Sequence, residues 1–294
     1  MELIKRSNFD FIGKRKYCYI FSLLVILGGM VVFFMRGEKN FSPDFTGGDL
    51  LQVEFSRPMS AAEITQALAG ISGVTVQNLG TGGQEFLIRS GPATSSVVVE
   101  RLKQASGGES FNVKSNTSIE ASMSASLRKR GLQAFLWGIV GILLYLTIRF
   151  EFRLATAATV AILHDILFCL AVLAFCHQQI DSTALAAFLT VAGYSVNDTV
   201  IIFDRFRENL KKTKSGDYAE VFNRSINETL SRTIITVLVV LFVVCCLFFL
   251  GGRSLHTFSL LLLTGFSVGT YSSVFVASAL VIDWNRISPH RFRL

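Results

Sequence analysis

Charge is scarce in this chain: 17% of its 294 residues are Asp, Glu, Lys or Arg, whereas 51% are hydrophobic. With a mean hydropathy of +0.49, this balance excludes an ordinary soluble domain and fits a polytopic membrane protein. Cysteine is scarce as well. The five present, Cys18, Cys169, Cys176, Cys245 and Cys246, lie in or beside apolar runs, and none falls in the one large polar segment, so no disulfide framework is implied. The adjacent Cys245 and Cys246 stand among Val, Leu and Phe and read as small apolar filler rather than a redox or metal site. That polar segment contains no Ser-His-Asp set, P-loop, metal-ligand cluster or paired-carboxylate spacing. No enzymatic activity, metal or cofactor is therefore expected. The net charge of +7 is not gathered into a patch for nucleic acid. Basic residues stand in short clusters at the ends of apolar runs, as the positive-inside rule requires.

Long apolar runs are what the chain has in quantity: Tyr17–Met35, Leu132–Ile148, Leu154–Phe175, Thr183–Phe203, Thr233–Leu250 and Phe258–Ile282. Each approaches or exceeds the length that spans a hydrocarbon core of roughly 30 Å. The first is too long for a signal-peptide core and lacks a convincing cleavage site, so a retained helix is expected. Lys5, Arg6, Lys14, Arg15 and Lys16 precede it and place the N-terminus in the cytoplasm. Threading six helices from there puts Arg149 and Arg153, then Arg205, Arg207, Lys211, Lys212, Lys214 and Arg224, then Arg286, Arg291 and Arg293 on the cytoplasmic side. Arg128, Lys129 and Arg130 run against the pattern. Phe9, Phe11 and Ile12, interleaved with basic residues, are expected to form a short helix lying on anionic headgroups. The division is a cytoplasmic segment 1–16, a first helix 17–35, an outer domain with linker 36–130, a five-helix bundle 131–283 and a cytoplasmic tail 284–294.

Within the polar segment the hydrophobic period changes to that of a small folded domain. Leu50 to Phe55 alternates like a half-buried strand. Ser60 and Glu63 have the spacing of a capping box opening a helix at Ala61–Ala69. Val74–Leu79 and Glu85–Ser90 read as strands around a GTGGQ turn, followed by a helix at Ser96–Ala105 and a strand from Phe111 to about Ser118. The order β-α-β-β-α-β is that of the ferredoxin-like split βαβ unit. Asp44, beside Gly47 and Gly48, is expected in a turn needing positive φ rather than in catalysis.

The stretch Gly193–Leu210, GYSVNDTVIIFDRFRENL, interrupts an apolar run with Asn197 and Asp198. An ionisable residue in a membrane helix costs roughly 2.5 to 3.5 kcal/mol at the helix centre, which makes Asp198 a functional candidate by default. Helical spacing puts Ala184, Ala187, Val191, Tyr194, Ser195 and Arg205 on its face, a small and polar surface that should look into protein. Asp165, next to His164 in the third apolar run, shares a face with Ala158, Ala161 and Cys169. It reads either as a proton-relay member or as a buried acceptor holding helices together. Arg232 enters the fifth run from the same side as Asp198, with Thr233 and Thr236 on its first turns, so the two can pair; otherwise Arg232 snorkels to the interface. Gly265 and Gly269 form a GxxxG packing stripe ahead of Tyr271, Ser272 and Ser273. The small-residue faces of the third, fourth and sixth helices are expected to pack on a partner subunit.

These residues resemble the SecF branch of the SecD/SecF family, itself part of the RND superfamily. The likeness rests on Gly193, Tyr194, Ser195, Asn197, Asp198, Asp204, Arg205 and Arg207, and on FDFIGKRK at Phe9–Lys16, PDFTGG at Pro43–Gly48, IRFEFR at Ile148–Arg153, His164 with Asp165, SINETLSRT at Ser225–Thr233, and GTYSS at Gly269–Ser273. It implies a polytopic α-helical protein of six transmembrane helices, an RND-type half, with one ferredoxin-like α+β periplasmic domain between helices one and two. It further implies proton coupling at Asp198, Arg232 and Asp165, supported by Asn197, Tyr194, Ser195, Thr236, Asp204 and Arg205. Protons would be the coupling ion, and the function a proton-motive-force-driven aid to protein export across the bacterial inner membrane. The implied partners are a SecD-like subunit, the Sec channel of SecY/SecE/SecG type, YidC-like and YajC-like proteins and the translocating unfolded polypeptide. Half of a small-molecule RND exporter, or a structural assembly factor, are the rival expectations. The family commonly has proline where Ala279 stands, so a straighter end to the sixth helix is expected here.

Overall fold

The structure, a computed structural model, describes residues 9–71, 73–79, 82–105, 111–119, 121–212, 217–252, 255–289 and 292. Lys5, Arg6, Lys214, Arg291 and Arg293 of the expected cytoplasmic clusters, and Gly80 and Thr81 of the expected turn, lie outside them. The chain forms two compact units, one of residues 41–133 and one of the residues on either side of that span.

The smaller unit follows the period-2 pattern of its sequence. Strands β1 (Gly48–Phe55), β2 (Thr75–Asn78), β3 (Glu85–Ser90) and β4 (Phe111–Ile119) form an antiparallel sheet in the order β2-β3-β1-β4. Two helices, α3 (Ala61–Ala67) and α4 (Ser95–Ala105), complete the ferredoxin-like order; the short α2 (Pro43–Thr46) precedes β1. Alternate residues of β1 point inward, so Leu51, Val53 and Phe55 join Phe86, Ile88, Ile64, Leu68, Val98 and Leu102 in one core. Both halves of the capping box form: Glu63 N–H donates to Ser60 Oγ at 3.1 Å and Ser60 N–H to Glu63 Oε2 at 3.2 Å. Gly47 and Gly48 adopt φ of 76° and 135°. Asp44 itself stands in the short α2, and the glycines supply the positive φ that ends it.

Among the described residues six helices are long and apolar enough to cross a membrane, the second of them starting within the 41–133 unit. They are α1 (Arg15–Arg36), α5 (Ala121–Arg149), α6 (Phe152–Phe175), α7 (Ser182–Lys212), α8 (Tyr218–Leu250) and a last helix made of α9 (His256–Ser272), a π-turn (Ser273–Ala277) and α10 (Ser278–Ile287). Four of them differ from expectation, α5 by starting about three turns before its apolar run. Helices α7 and α8 run on for two to four turns of polar residues beyond their apolar runs, because Asp217 caps α8 at Ala219 N–H (2.9 Å) well before hydropathy rises. The last helix is uninterrupted where proline is missing, yet its hydrogen bonding is irregular across the π-turn just before Ala279.

Close contacts between small residues set the packing. A Cβ built on Gly265 would lie 2.1 Å from Val191 of α7, and one on Gly29 of α1 2.2 Å from Ala171 of α6. Helices α6, α7 and α9 therefore pack on one another through the faces expected to meet a partner, which corrects that expectation: Ala158, Ala161, Cys169, Ala184, Ala187 and Val191 are all buried inside this chain.

Ion pairs tie one end of the helices together. Arg15 of α1 meets Asp283 of α10 at 3.0 Å, Arg149 of α5 meets Asp204 of α7 at 2.7 Å, and Arg205 of α7 meets Glu228 of α8 at 2.6 Å. At the opposite end Arg36 donates to the carbonyl of His177 at 3.1 Å. The ion-paired Arg15, Arg149 and Arg205 thus share one end of the bundle, whereas Arg128, Lys129 and Arg130 lie near the other end of α5. The segment before α1 is not a surface helix over its described part. Asn227 of α8 brackets Phe9, accepting from its N–H at 3.0 Å and donating to its carbonyl at 2.9 Å, while Asn223 accepts from Phe11 N–H at 2.9 Å. Ile12 is buried in the bundle core. Paired amides hold this segment to protein, which overrides its amphipathic pattern.

Candidate functional site: two buried carboxyls

Asp165 and Asp198 are both fully buried in the helical unit. Helical phase explains this, since each lies on the small-residue face of its helix, where α6, α7 and α9 approach most closely. Asp198 Oδ2 accepts from Thr270 Oγ1 of α9 at 2.7 Å, and among the described residues Oδ1 has no hydrogen-bond partner. Asp165 is better supplied. Its Oδ2 accepts from Ser195 Oγ of α7 at 2.6 Å and from Ser272 Oγ of α9 at 2.8 Å, and Oδ1 lies 2.9 Å from His164 Nδ1. Ser195 sits one turn before Asp198, and Ser272 two residues after Thr270, so α7 and α9 serve both carboxyls. Thr199 and Ser273 extend the seam with a hydroxyl pair at 2.8 Å.

The expected site residues divide. Ser195 and Asp165 join the cluster, and Gly265 and Gly269 make room for it, since a Cβ on Gly269 would press on Ser195 at 3.1 Å. Tyr194 packs on Phe266, ring centroids 4.3 Å apart and planes tilted by 42°, and meets the hydroxyl of Thr236. Asp204 and Arg205 belong instead to the ion pairs at the basic end. Asn197 and Arg232 are exposed. Among the described residues Arg232 forms no ion pair with Asp198, so the expected pairing is absent: the fourth-turn position of Arg232 on α8 points outward, and Thr270 occupies the carboxyl. Thr270 and Ser272 are the members that helical phase on α7 alone did not reveal. Their signal is the run of hydroxyls in GTYSS at Gly269–Ser273.

A buried carboxyl with one donor and one unpartnered oxygen is poorly suited to a permanent charge and well suited to gaining and losing a proton as its surroundings change. No group of three or more His, Cys, Asp or Glu residues able to hold a metal is present among the described residues.

A family profile for protein export membrane protein SecD/SecF, C-terminal, matches residues 98–287. Protein translocase subunit SecF of Vibrio alginolyticus is 39% identical over 287 residues, covering 94% of this chain and 90% of the relative. Its counterpart in Thermodesulfovibrio yellowstonii is 37% identical over 291 residues, covering 96% of each. The crystal structure of SecDF, a translocon-associated membrane protein from Thermus thermophilus, is similar with a TM-score of 0.87 and 32% identity over 97% of this chain. The chain spans 40% of the length of that SecDF chain.

Proposed function

Since the chain belongs to the SecD/SecF family of protein export membrane proteins, we propose that it works with a SecD-like subunit in the Sec translocase and converts the proton motive force into late steps of polypeptide export. The observation that carries this reading is Asp198, fully buried, with one donor and a free oxygen. Proton binding there, and at Asp165 beside it, would set which packing of α6, α7 and α9 is favoured. A membrane potential contributes about 2.3 kcal/mol per elementary charge per 100 mV, enough to bias a two-state rearrangement. The residue 41–133 unit, on the periplasmic side of a bacterial inner membrane, would move against the translocating unfolded chain. Both termini would be cytoplasmic, in keeping with the basic end of the bundle. The protein would catalyse no covalent chemistry and use no cofactor beyond protons.

The partner face is assigned to the outer side of α7. Ala186, Thr190, Gly193 and Asn197 are exposed there at helical spacing, with Arg232 and Thr236 exposed on α8. A small, polar stripe on a membrane helix is unsuited to lipid and suited to another helix. Arg232 would then lie at that junction, on the outward side of α8 rather than against Asp198. Association with the Sec channel and with YidC-like and YajC-like proteins belongs to the same proposal. The relatives' naming as protein translocase subunits favours this over a small-molecule exporter.

Asp198→Asn keeps shape and the bond from Thr270 but cannot titrate. In membrane vesicles carrying the whole complex, the variant should assemble, keep ATP-dependent export and lose the stimulation by an imposed proton gradient. Stimulation equal to wild type would refute the proton role.

A further inference from the structure

We infer that His164 carries protons between Asp165 and the basic end of the bundle. This rests on the reading of the buried carboxyls as proton sites. His164 lies about 18 Å along α6 from Phe152 at 1.5 Å per residue, far from either helix end. Its side chain is only 10% exposed. Nδ1 is 2.9 Å from Asp165 Oδ1, and Nε2 is buried without a hydrogen-bond partner among the described residues. A histidine whose task is to hold a core together uses both ring nitrogens, because a buried unpaired nitrogen is costly. Here one nitrogen is spent on the carboxyl and the other is left for an exchanging partner.

The surroundings give that partner a direction. The imidazole lies between the rings of Phe168 and Tyr271, with centroids 6.0 and 6.3 Å away. Tyr271 Oη donates to the Cys18 carbonyl of α1 at 2.8 Å and lies 3.1 Å from Ser22 Oγ. One turn nearer the start of α1, Tyr19 Oη donates to Asp283 of α10 at 3.4 Å, and Asp283 pairs with Arg15 at 3.0 Å. Tyr271, Ser22, Tyr19 and Asp283 are thus polar groups spaced along α1 and its neighbours toward the basic end, with no hydrogen bond joining His164 Nε2 to them among the described residues. On the other side, Ser195 and Ser272 connect Asp165 to the turns of α7 and α9 that hold Asp198.

The step is balanced without any co-reactant. A proton arriving at Nε2 of the neutral imidazole forms an imidazolium, which passes the Nδ1 proton to ionised Asp165 Oδ1, leaving a neutral carboxyl and the other imidazole tautomer. The reverse sequence returns the proton. The titratable and charged groups on the elements packed around His164 include Asp165 and Cys169 on α6, Asp198 and Tyr194 on α7, Tyr271 on α9, Cys18, Tyr19 and Arg15 on α1, and Asp283 on α10; Arg153 on α6, Asp204, Arg205, Arg207 and Glu208 on α7, Lys16, Tyr17 and Arg36 on α1 and Arg286 on α10 stand toward the helix ends. Histidine is suited to this task because its unperturbed titration falls near neutral pH.

His164→Asn keeps a donor for Asp165 but has no second ring nitrogen. Measured beside Asp198→Asn in vesicles holding the whole complex, it should keep ATP-dependent export and lose gradient stimulation by about tenfold or more. Full stimulation in His164→Asn, with loss in Asp198→Asn, overturns the role of His164 and leaves that of Asp198 standing. Full stimulation in both overturns both. A second measurement does not depend on a substitution at His164. In the full chain with His177, His256 and His290 changed to Gln, magnetic resonance of isotope-labelled histidine should show both ring tautomers of His164 populated, as passage of a proton through both nitrogens requires. One fixed tautomer under all conditions would overturn the inference.

Discussion

Two aspartates in different parts of the molecule are equally hidden, Asp49 at 1% exposure and Asp198 at 0%, yet they are accommodated in opposite ways. Asp49, at the start of β1, accepts from the N–H groups of Thr94 and Ser95, both at 2.7 Å, and from Ser118 Oγ at 2.5 Å. It joins β1 to the first turn of α4 and to β4. Burial alone would raise its carboxyl, but the bonds from Ser118, Ser95 and Thr94 outweigh that effect and hold it below the usual range. Asp198 has one hydroxyl donor and an oxygen with none. Burial by itself is therefore no sign of function. A carboxylate given three donors is a fixed charge that shapes a fold, whereas one left short of donors is open to protonation.

The comparison has consequences of graded size. The largest is at the contact that closes the helical site. Gly265→Leu drives a side chain into Val191, where even a Cβ would lie 2.1 Å away, and should destabilise the helical unit by about 3 kcal/mol in thermal unfolding of the detergent-solubilised protein. An unchanged melting temperature would mean that α7 and α9 do not need this approach to bring Thr270 to Asp198. Next, Asp49→Asn should cost about 2 kcal/mol in the smaller unit by removing a charged acceptor from two backbone donors. The sign of its pH dependence follows from a lowered folded-state value. The stabilisation is complete above the unfolded value near 3.9 and disappears as pH falls through the lower folded value, so wild type and variant should converge in melting temperature in strong acid. A constant gap across acid pH would contradict the fixed-charge role. The smallest effect belongs to Asn227→Ala, which removes the paired amide contact with Phe9. It should lower protection of the Phe9 amide by about 1 kcal/mol in hydrogen exchange of the full chain, with little change elsewhere.

The smaller unit was legible in the sequence because local rules determine it. Alternation in Leu50–Phe55, the Ser60/Glu63 box and the two glycines after Thr46 each act within a few residues. Of the helical unit, the buried face of Asp198 was legible for the same reason, since it needs only the helical period. What escaped were choices between helices. The pattern of α7 says that Asp198 is buried, but not that Thr270 rather than Arg232 meets it. That depends on the rotation of α8, which turns Arg232 outward. Likewise, the apolar and basic character of Phe9–Lys16 fits a membrane surface as well as it fits the asparagines at Asn223 and Asn227, and only the fold brings those two together. Small-residue stripes are ambiguous in the same way, because GxxxG does not distinguish a neighbour in the same chain from one in a partner.

The most direct measurement of the central claim is infrared difference spectroscopy of the whole complex in vesicles as a proton gradient is imposed. A protonated-carboxyl band should change in wild type, change in the same way in Asp49→Asn, and lose the component that belongs to Asp198 in Asp198→Asn, leaving at most that of Asp165. A band that changed unaltered in Asp198→Asn would contradict the assignment of Asp198 as the residue that takes up and releases the coupling proton.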